Sequence, residues 1–319
     1  MLDRAIVFGA ILIFSPFHVS AQECGDGQRL FTHFGGQTCI PDDPQRIVTL
    51  HDQNAMLPIM ELGVAPVGST GDIVDGGHAY NRMQDHDTSD VAFVGTWREP
   101  SFEDIAALNP DLILGMPFHA NQADTFSAIA PVVLIDPFDQ PLDEALMQFA
   151  ELVNKTDRAE DLQAELQAKA DATRDRLGPL LENTTISIIE VNEQSGTFTP
   201  IPPAQSLFLI TKALQPTRPE AERNLNDWEG RSFENILAHN ADVLFHIVSD
   251  VGGDGSSNQH DEFLARPTVQ ALPVTQAGQV FIIDAQRFFG SSWRQAMHGL
   301  DQISAAMTQD GLDRDIVVE

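Results

Sequence analysis

The three tryptophans of this chain all stand beside arginines. Trp97 is followed directly by Arg98, Trp228 has Arg231 three positions on, and Trp293-Arg294 comes just after Arg287-Phe288-Phe289. Only 18 residues in 319 are basic, so this grouping marks a site more than it reflects composition. Aromatic faces offer rigid apolar contact, and an arginine offers a planar fork of donors for anionic oxygens. Together they suit the capture of a bulky ligand that carries oxygen atoms. His51 and His119, each placed after an apolar run, could point into the same space or serve as ordinary polar loop residues. Enzyme signatures are missing. There is no G-x-S-x-G elbow and no H-E-x-x-H pair, and the Gly/Ser-rich stretch 251–258 lacks the Lys-Ser/Thr of a phosphate loop. The ten histidines are scattered, and no three or four metal-ligating side chains assemble at ligand spacing.

The elements that would position these residues are read from a repeat. Residues 101–114 (SFEDIAALNPDLIL) return as 232–245 (SFENILAHNADVLF), with seven of fourteen positions identical. Each copy has a serine N-cap, a short helix, and an Asn-X-Asp turn that feeds an apolar strand. One copy in each half predicts two lobes of similar make. In the first lobe, strands are expected at 46–50, 65–69 and 131–136, with helices at 55–62 and near 123–129, and a polar, turn-rich stretch at 72–96. In the second, strands are expected at 185–191 and 280–284, with helices at 205–214, 261–272 and 292–307. Strands alternating with helices predict open α/β lobes with parallel pairing, and ligands of such lobes collect in loops beyond the strand ends. Between the lobes lies a long helical region, broken at Asn154-Lys155-Thr156 and resumed over 157–177, where Gly178-Pro179 should stop it. The division is therefore 22–138 for the N-terminal lobe, 139–179 for a bridging helix region and 180–319 for the C-terminal lobe.

A net charge of −29 excludes nucleic acid and anionic membrane surfaces as partners. Residues 1–21 have the form of a secretory signal: Arg4, an apolar core over 5–14 too short to span a bilayer, and Val19-Ser20-Ala21 before the cut. The mature protein should be soluble and periplasmic, with no membrane insertion once the signal is removed. In an oxidising compartment Cys24 and Cys39, the only cysteines, should pair and close a loop worth about 3 kcal/mol. The alternative, a metal site, lacks further ligands, since two thiolates do not fill a tetrahedral shell.

Five stretches in order resemble the substrate-binding proteins of iron–siderophore ABC importers. They are Pro44-Gln45-Arg46-Ile47-Val48, the run from Glu61 to Gly68 (ELGVAPVG), Glu99-Pro100-Ser101-Phe102-Glu103, Asn109-Pro110-Asp111-Leu112-Ile113 and Ala277-Gly278-Gln279-Val280. The resemblance spans nearly all of the mature chain. It implies two α/β lobes joined by a long rigid helix, with ligand held in the cleft between them, as in related vitamin B12- and haem-binding proteins. The run Val94-Gly95-Thr96-Trp97-Arg98-Glu99-Pro100 and the pair Phe288-Phe289 before Gly290 are most similar to the ferric hydroxamate-binding member. This chain has Trp97 where that member has its arginine, with Arg98 one place later. The implied function is capture of a ferric siderophore and delivery to an inner-membrane ABC permease for iron uptake. The protein would be a monomeric binding protein, not an enzyme, and would need no cofactor or metal of its own because the siderophore holds the iron.

The implied ligand-binding residues are Trp97, Arg98, His119, Trp228, Arg231, Phe288, Phe289, Trp293 and Arg294. Glu103 and Glu234, at one place in the two repeat copies, would dock the permease, although acidic residues also favour a helix first turn on their own account. Neutral hydroxamate complexes and anionic catecholate or citrate complexes both remain open. Rival readings are a haem- or cobalamin-binding protein of this fold, a bare metal-ion binding protein, and an exported α/β enzyme.

Overall fold

The computed structural model describes residues 24–248 and 256–308. The expected signal at 1–21 and most of the Gly/Ser-rich stretch lie outside the described residues. The chain opens with an antiparallel hairpin of β1 (Gln28–His33) and β2 (Gly36–Pro41), closed at its base by the Cys24–Cys39 disulfide. Phe31 and Ile40 anchor the hairpin in the core.

The first lobe is built on β3 (Ile47–Thr49), β4 (Gly68–Val74), β5 (Gly77–Ala79), β6 (Ala92–Thr96), β7 (Leu112–Gly115) and β8 (Val132–Leu134). Five of these run parallel in the order β8-β7-β3-β4-β6, and β5 pairs antiparallel with the far half of β4. The short α1 (Leu57–Glu61), α2 (Phe102–Ala107) and α3 (Ala123–Phe126) cover it. β3, β7 and β8 are buried along their whole length, which is why they read as plain apolar runs. β5 and β6 fall inside the stretch expected to be only turns. β5 is exposed or half-exposed and β6 contains Gly95, so neither carries an apolar signal.

Two helices follow, α4 (Leu142–Leu152) and α5 (Thr156–Asn183). The expected stop at Gly178-Pro179 does not occur. Leu177 and Leu181 continue the buried stripe of Ala159, Leu162, Leu166, Ala170 and Thr173, and this packing outweighs the roughly 3 kcal/mol penalty of an interior proline. The second lobe holds β9 (Ile186–Asn192), β10 (Thr197–Pro200), β11 (Arg231–Ser232), β12 (Val243–Val248) and β13 (Val280–Asp284) in the order β11-β10-β9-β12-β13. Of these, β9, β12 and β13 are parallel; β10 and β11 are antiparallel additions that sequence reading missed. Its helices are α6 (Gln205–Leu214), α7 (Ser256–Ala265), α8 (Pro267–Gln270), α9 (Pro273–Gln276), α10 (Ala285–Phe288) and α11 (Trp293–Met307).

The repeat is visible as matched hydrogen bonding. Ser101 Oγ accepts from Asp104 N, and Ser232 Oγ from Glu234 N. The Asp111 carboxylate accepts from the backbone N–H groups of Gln45 (2.8 Å) and Arg46 (2.9 Å), just ahead of β3. The Asp242 carboxylate likewise accepts from the N–H (2.8 Å) and hydroxyl (2.7 Å) of Thr185, just ahead of β9. In each lobe the same aspartate fixes the start of a parallel strand. The copies differ in helix type: the first is α2, the second a 3-10 helix over Phe233–His239.

One apolar cluster runs through both lobes and the helices between them. It includes Ile47 and Ile59 on one side, Leu146, Phe149, Leu162 and Leu177 in α4 and α5, and Ile188, Phe245, Phe288, Trp293 and Leu300 on the other. A polar strut reinforces it. Glu61, at the end of α1, is buried, and its carboxylate accepts from Ser292 Oγ and from the backbone N–H groups of Trp293 (3.2 Å) and Arg294 (3.0 Å). It thus satisfies free donors at the start of α11 from the opposite lobe. Nearby, Asn54 Oδ1 accepts from Gln205 Nε2 (2.9 Å) and Ser291 Oγ (2.8 Å). Burial pushes the Glu61 carboxyl up to about 7, against the pull of those donors and of the Arg294 charge.

Candidate functional site

The loops leaving the carboxyl ends of β3, β6, β7 and β8 bring His51, Trp97, Phe118, His119 and Phe138 into one aromatic group. Ring centroids lie 6.0 Å apart for His51 and Trp97, 5.8 Å for His51 and Phe118, 5.3 Å for Trp97 and Phe118, and 6.4 Å for Phe118 and Phe138. Phe118 and Phe138 are 43% and 37% exposed, so the group presents aromatic surface at the strand ends. Open space beside Phe138 forms a crevice of about 270 Å³, walled by residues 137–142, which lead from the first lobe into α4, and by Pro203, Ala204, Gln205 and Phe208 of the second lobe.

His119 is the frame of this group, not its surface. It is 1% exposed, its Nδ1 accepts from Met116 N (3.1 Å), and its Nε2–H donates to the Trp97 carbonyl (2.9 Å). Those bonds fix a neutral tautomer that ties the β6 loop to the β7 loop, so the expected ligand contact from His119 gives way to a positioning role. His51 Nδ1 accepts from Asn54 N (3.3 Å), which leaves the proton on Nε2, toward which no acceptor reaches among the described residues. Burial, with the nearby His119 and Arg82, holds the His51 imidazole down at about 3, so it is a neutral donor at any ordinary pH.

A second aromatic group belongs to the other lobe. Trp228, 45% exposed, meets Phe289 edge to face at 5.5 Å, and Phe289 stacks on Phe288 at 6.1 Å. Arg82, from the first lobe, reaches this second group. Its backbone has φ of 64°, its Nε donates to Ala285 O (3.1 Å), its backbone N–H donates to Gln286 Oε1 (2.9 Å), and its guanidinium carbon sits 5.4 Å over the Phe289 ring. No hydrogen bond occupies its two terminal nitrogens among the described residues. Burial lowers Arg82 to about 10, opposed by Asp52, Glu190, Asp284 and Asp72, so it stays charged at neutral pH. Sequence reading missed Arg82 because it has no tryptophan beside it; its setting comes from the opposite lobe.

The remaining expected residues divide. Arg98 is exposed and stacks on its neighbour Trp97, its guanidinium carbon 4.0 Å from the ring centroid. Arg231 is engaged by its own loop, pairing with Asp227 (2.7 Å) and Glu229 (3.5 Å). Phe288 and Trp293 are fully buried and offer nothing to a cleft. Phe288 is pressed against Gly299 of α11, and Trp293 starts that helix with its ring toward α4, α5 and α6, so the interlobe core claims both. Arg294 contributes its backbone N–H to Glu61 and is half-buried. Glu103 and Glu234 are exposed and, among the described residues, not ion-paired. Each stands six positions after a tryptophan, Trp97 or Trp228, so the internal repeat extends back to these two rings. That offset was a signal available in the sequence. Among the described residues, no three His, Cys, Asp or Glu side chains converge on a metal position, and no helix is long and apolar enough to cross a membrane.

Two α/β lobes joined by a long helix, each with an aromatic group in its loops, have the architecture of a two-lobe binding protein. The chain belongs to the periplasmic binding protein family, whose profile matches residues 52–287. It is 27% identical over 270 residues to the ferric-anguibactin-binding protein FatB of Vibrio anguillarum, covering 82% of this chain and 81% of that one. It is 30% identical over 219 residues to the probable siderophore-binding lipoprotein YfiY of Bacillus subtilis, covering 66% and 65%. Staphylococcus aureus SirA complexed with staphyloferrin B shares the fold, with a TM-score of 0.70 over 88% of this chain and 98% of SirA at 20% identity.

Proposed function

We propose that this protein is an exported binding protein that captures a ferric siderophore between its lobes and hands it to an ABC permease. The observation that carries this reading is an aromatic group in the loops of each lobe, with the Arg82 cation of the first lobe set over Phe289 of the second. Fe(III) complexes are bulky, with an apolar periphery and oxygen atoms around the metal, and such surfaces suit aromatic walls and a guanidinium fork. Relatives named for ferric anguibactin and for siderophore binding support it.

The charge balance narrows the ligand. Arg231 is neutralised by Asp227 and Glu229, and Arg82 lies in the field of four carboxylates. A site whose described residues hold few free cations and many acids favours a ferric complex of low net charge over a polyanionic one. Trp97, Arg98, Trp228 and Phe289 are the ligand contacts in this reading, with His51, Arg82, Phe118 and Phe138 added. Glu103 and Glu234 would meet basic residues of the permease, one contact from each lobe.

Titration of the exported protein with ferrichrome, ferric enterobactin and ferric citrate tests the reading through tryptophan emission, which a bound Fe(III) complex quenches. The neutral hydroxamate should bind tightest, at one complex per chain. Tighter binding of a polyanionic complex would overturn the charge argument, and no binding of any of the three would overturn the siderophore reading itself.

A further inference from the structure

We propose that the disulfide-closed β1–β2 hairpin is a third wall of the ligand site, with Phe34 at its tip touching the bound complex. This rests on the cleft reading above and extends it to a segment that lies ahead of the region matched by the family profile, which begins at residue 52.

The hairpin has a defined direction. Its base lies at the starting edge of the first sheet: Asp42 N donates to Gly27 O (2.9 Å), Asn154 Nδ2 donates to Asp42 O (2.7 Å), and Arg29 donates to the carbonyls of Glu151 and Leu152 at the end of α4 (2.9 Å each). From there each six-residue strand spans about 20 Å. That carries the tip to the opposite edge, where Phe34 N donates to the carbonyl of Leu134, the last residue of β8 (2.9 Å). Leu134 begins the loop that delivers Phe138 to the aromatic group. Its side chain also bridges inward: one methyl lies 3.5 Å from a Cβ built on Gly35 at the tip, the other 3.1 Å from one built on Gly115, beside His119. Leu134 therefore lies between the hairpin tip and Gly115, the end of the strand whose loop carries His119.

The tip is held in place by its own hydrogen bonds. His33 Nδ1 accepts from Gly35 N (3.1 Å) and from Leu134 N (3.1 Å), and its Nε2–H donates to Thr38 Oγ1 (2.9 Å). All of the imidazole's bonding is spent on positioning. Gly35 has no room for a side chain, since a Cβ would lie 2.9 Å from the His33 ring, and Gly36 has φ of 115°. Phe34 is different. It is 56% exposed, while Phe31 and Ile40 of the same hairpin fill the core. Anchoring does not need Phe34, and a large aromatic ring held out at the strand-end edge is placed to cover one side of a bulky ligand. An apolar or aromatic part of the siderophore skeleton is what it would touch, and deeper ligands would be excluded by it.

The test uses the exported, oxidised protein, the three ferric complexes named above, and the variants Phe34→Ala, Phe34→Trp and Trp97→Ala. Phe34→Ala should weaken the tightest-binding complex about three- to tenfold, the range expected for loss of one aromatic contact, with the melting temperature unchanged. Phe34→Trp should add emission that the same complex quenches. If Trp97→Ala weakens binding while Phe34→Ala binds as the wild type does and the emission added by Phe34→Trp is not quenched, the hairpin is a bystander and this proposal is overturned alone. If the wild type binds none of the complexes, the cleft reading fails and the hairpin role falls with it.

Discussion

Replacing Glu61 tests how the two lobes are held together. In Glu61→Ala, Ser292 Oγ and the N–H groups of Trp293 and Arg294 lose their acceptor inside a buried interface. A stranded buried donor costs about 1–3 kcal/mol, and with partial access of water to three of them the loss should be about 4 kcal/mol. At about 2–4 °C per kcal/mol for a body of this size, the melting temperature should fall on the order of 10 °C. Glu61→Gln isolates the proton. The folded carboxyl titrates at about 7 against 4.5 when unfolded, so the folded state holds its proton more tightly. Stability from this group is then fully present below pH 4.5 and is lost as pH rises through 7, a swing of about 3 kcal/mol. Lowered histidines such as His33, His51 and His246 act in the opposite sense, their contribution being present above 6.5 and lost on acidification. The quantity to follow is therefore wild type minus Glu61→Gln. Urea unfolding followed by far-ultraviolet circular dichroism at pH 5 and pH 8 should show that difference shrinking by about one to three kcal/mol at the higher pH. A loss under about 1 kcal/mol in Glu61→Ala, or parallel pH profiles for wild type and Glu61→Gln, would refute the strut.

Three further outcomes follow from the site. Trp97→Phe and Trp228→Phe should each remove part of the ligand-induced quenching, whereas Trp293→Phe should leave its amplitude on binding nearly intact while lowering stability by about 1–3 kcal/mol, read from the same titration and from urea unfolding. Arg82→Ala should weaken ferric complexes about tenfold or more, and Arg82→Lys should restore only part of that because the fork over Phe289 is lost, as equilibrium titration would measure. Charge reversal at both Glu103 and Glu234 should abolish ligand-stimulated uptake in reconstituted vesicles with ligand affinity unchanged; uptake at the wild-type rate would remove the docking role.

The parallel strands and the two-lobe plan were legible because buried strands are written as apolar runs and because the repeat carries its own caps. Asp111 and Asp242 show why that repeat persists: each spends its carboxylate on the backbone just ahead of a strand, a duty no other side chain at that turn performs. β5, β10 and β11 were not legible, being two to four residues long, too short to show an alternating or apolar pattern. The aromatic–arginine grouping picked out Trp97, Trp228 and Phe289, which lie in the two loop-borne aromatic groups, but adjacency in sequence could not tell a ring in a loop from one in the core. At Phe288-Phe289 the stacked rings have different further neighbours, α11 for one and Arg82 for the other. Arg82 itself was invisible for the same reason, since its role is set by Ala285, Gln286 and Phe289.

The apolar cluster that threads both lobes and α5 makes the protein a single cooperative unit. Heating should therefore give one calorimetric transition, with the calorimetric and van't Hoff enthalpies in agreement, and not two transitions, one for each sheet. A chain cut within α5 would expose Leu162, Leu166 and Leu177 together with the faces of α6 and α11 that cover them, so neither half should fold alone. The symmetry of the repeat thus stops short of the core: the two matched halves share one apolar interior and should melt as one body.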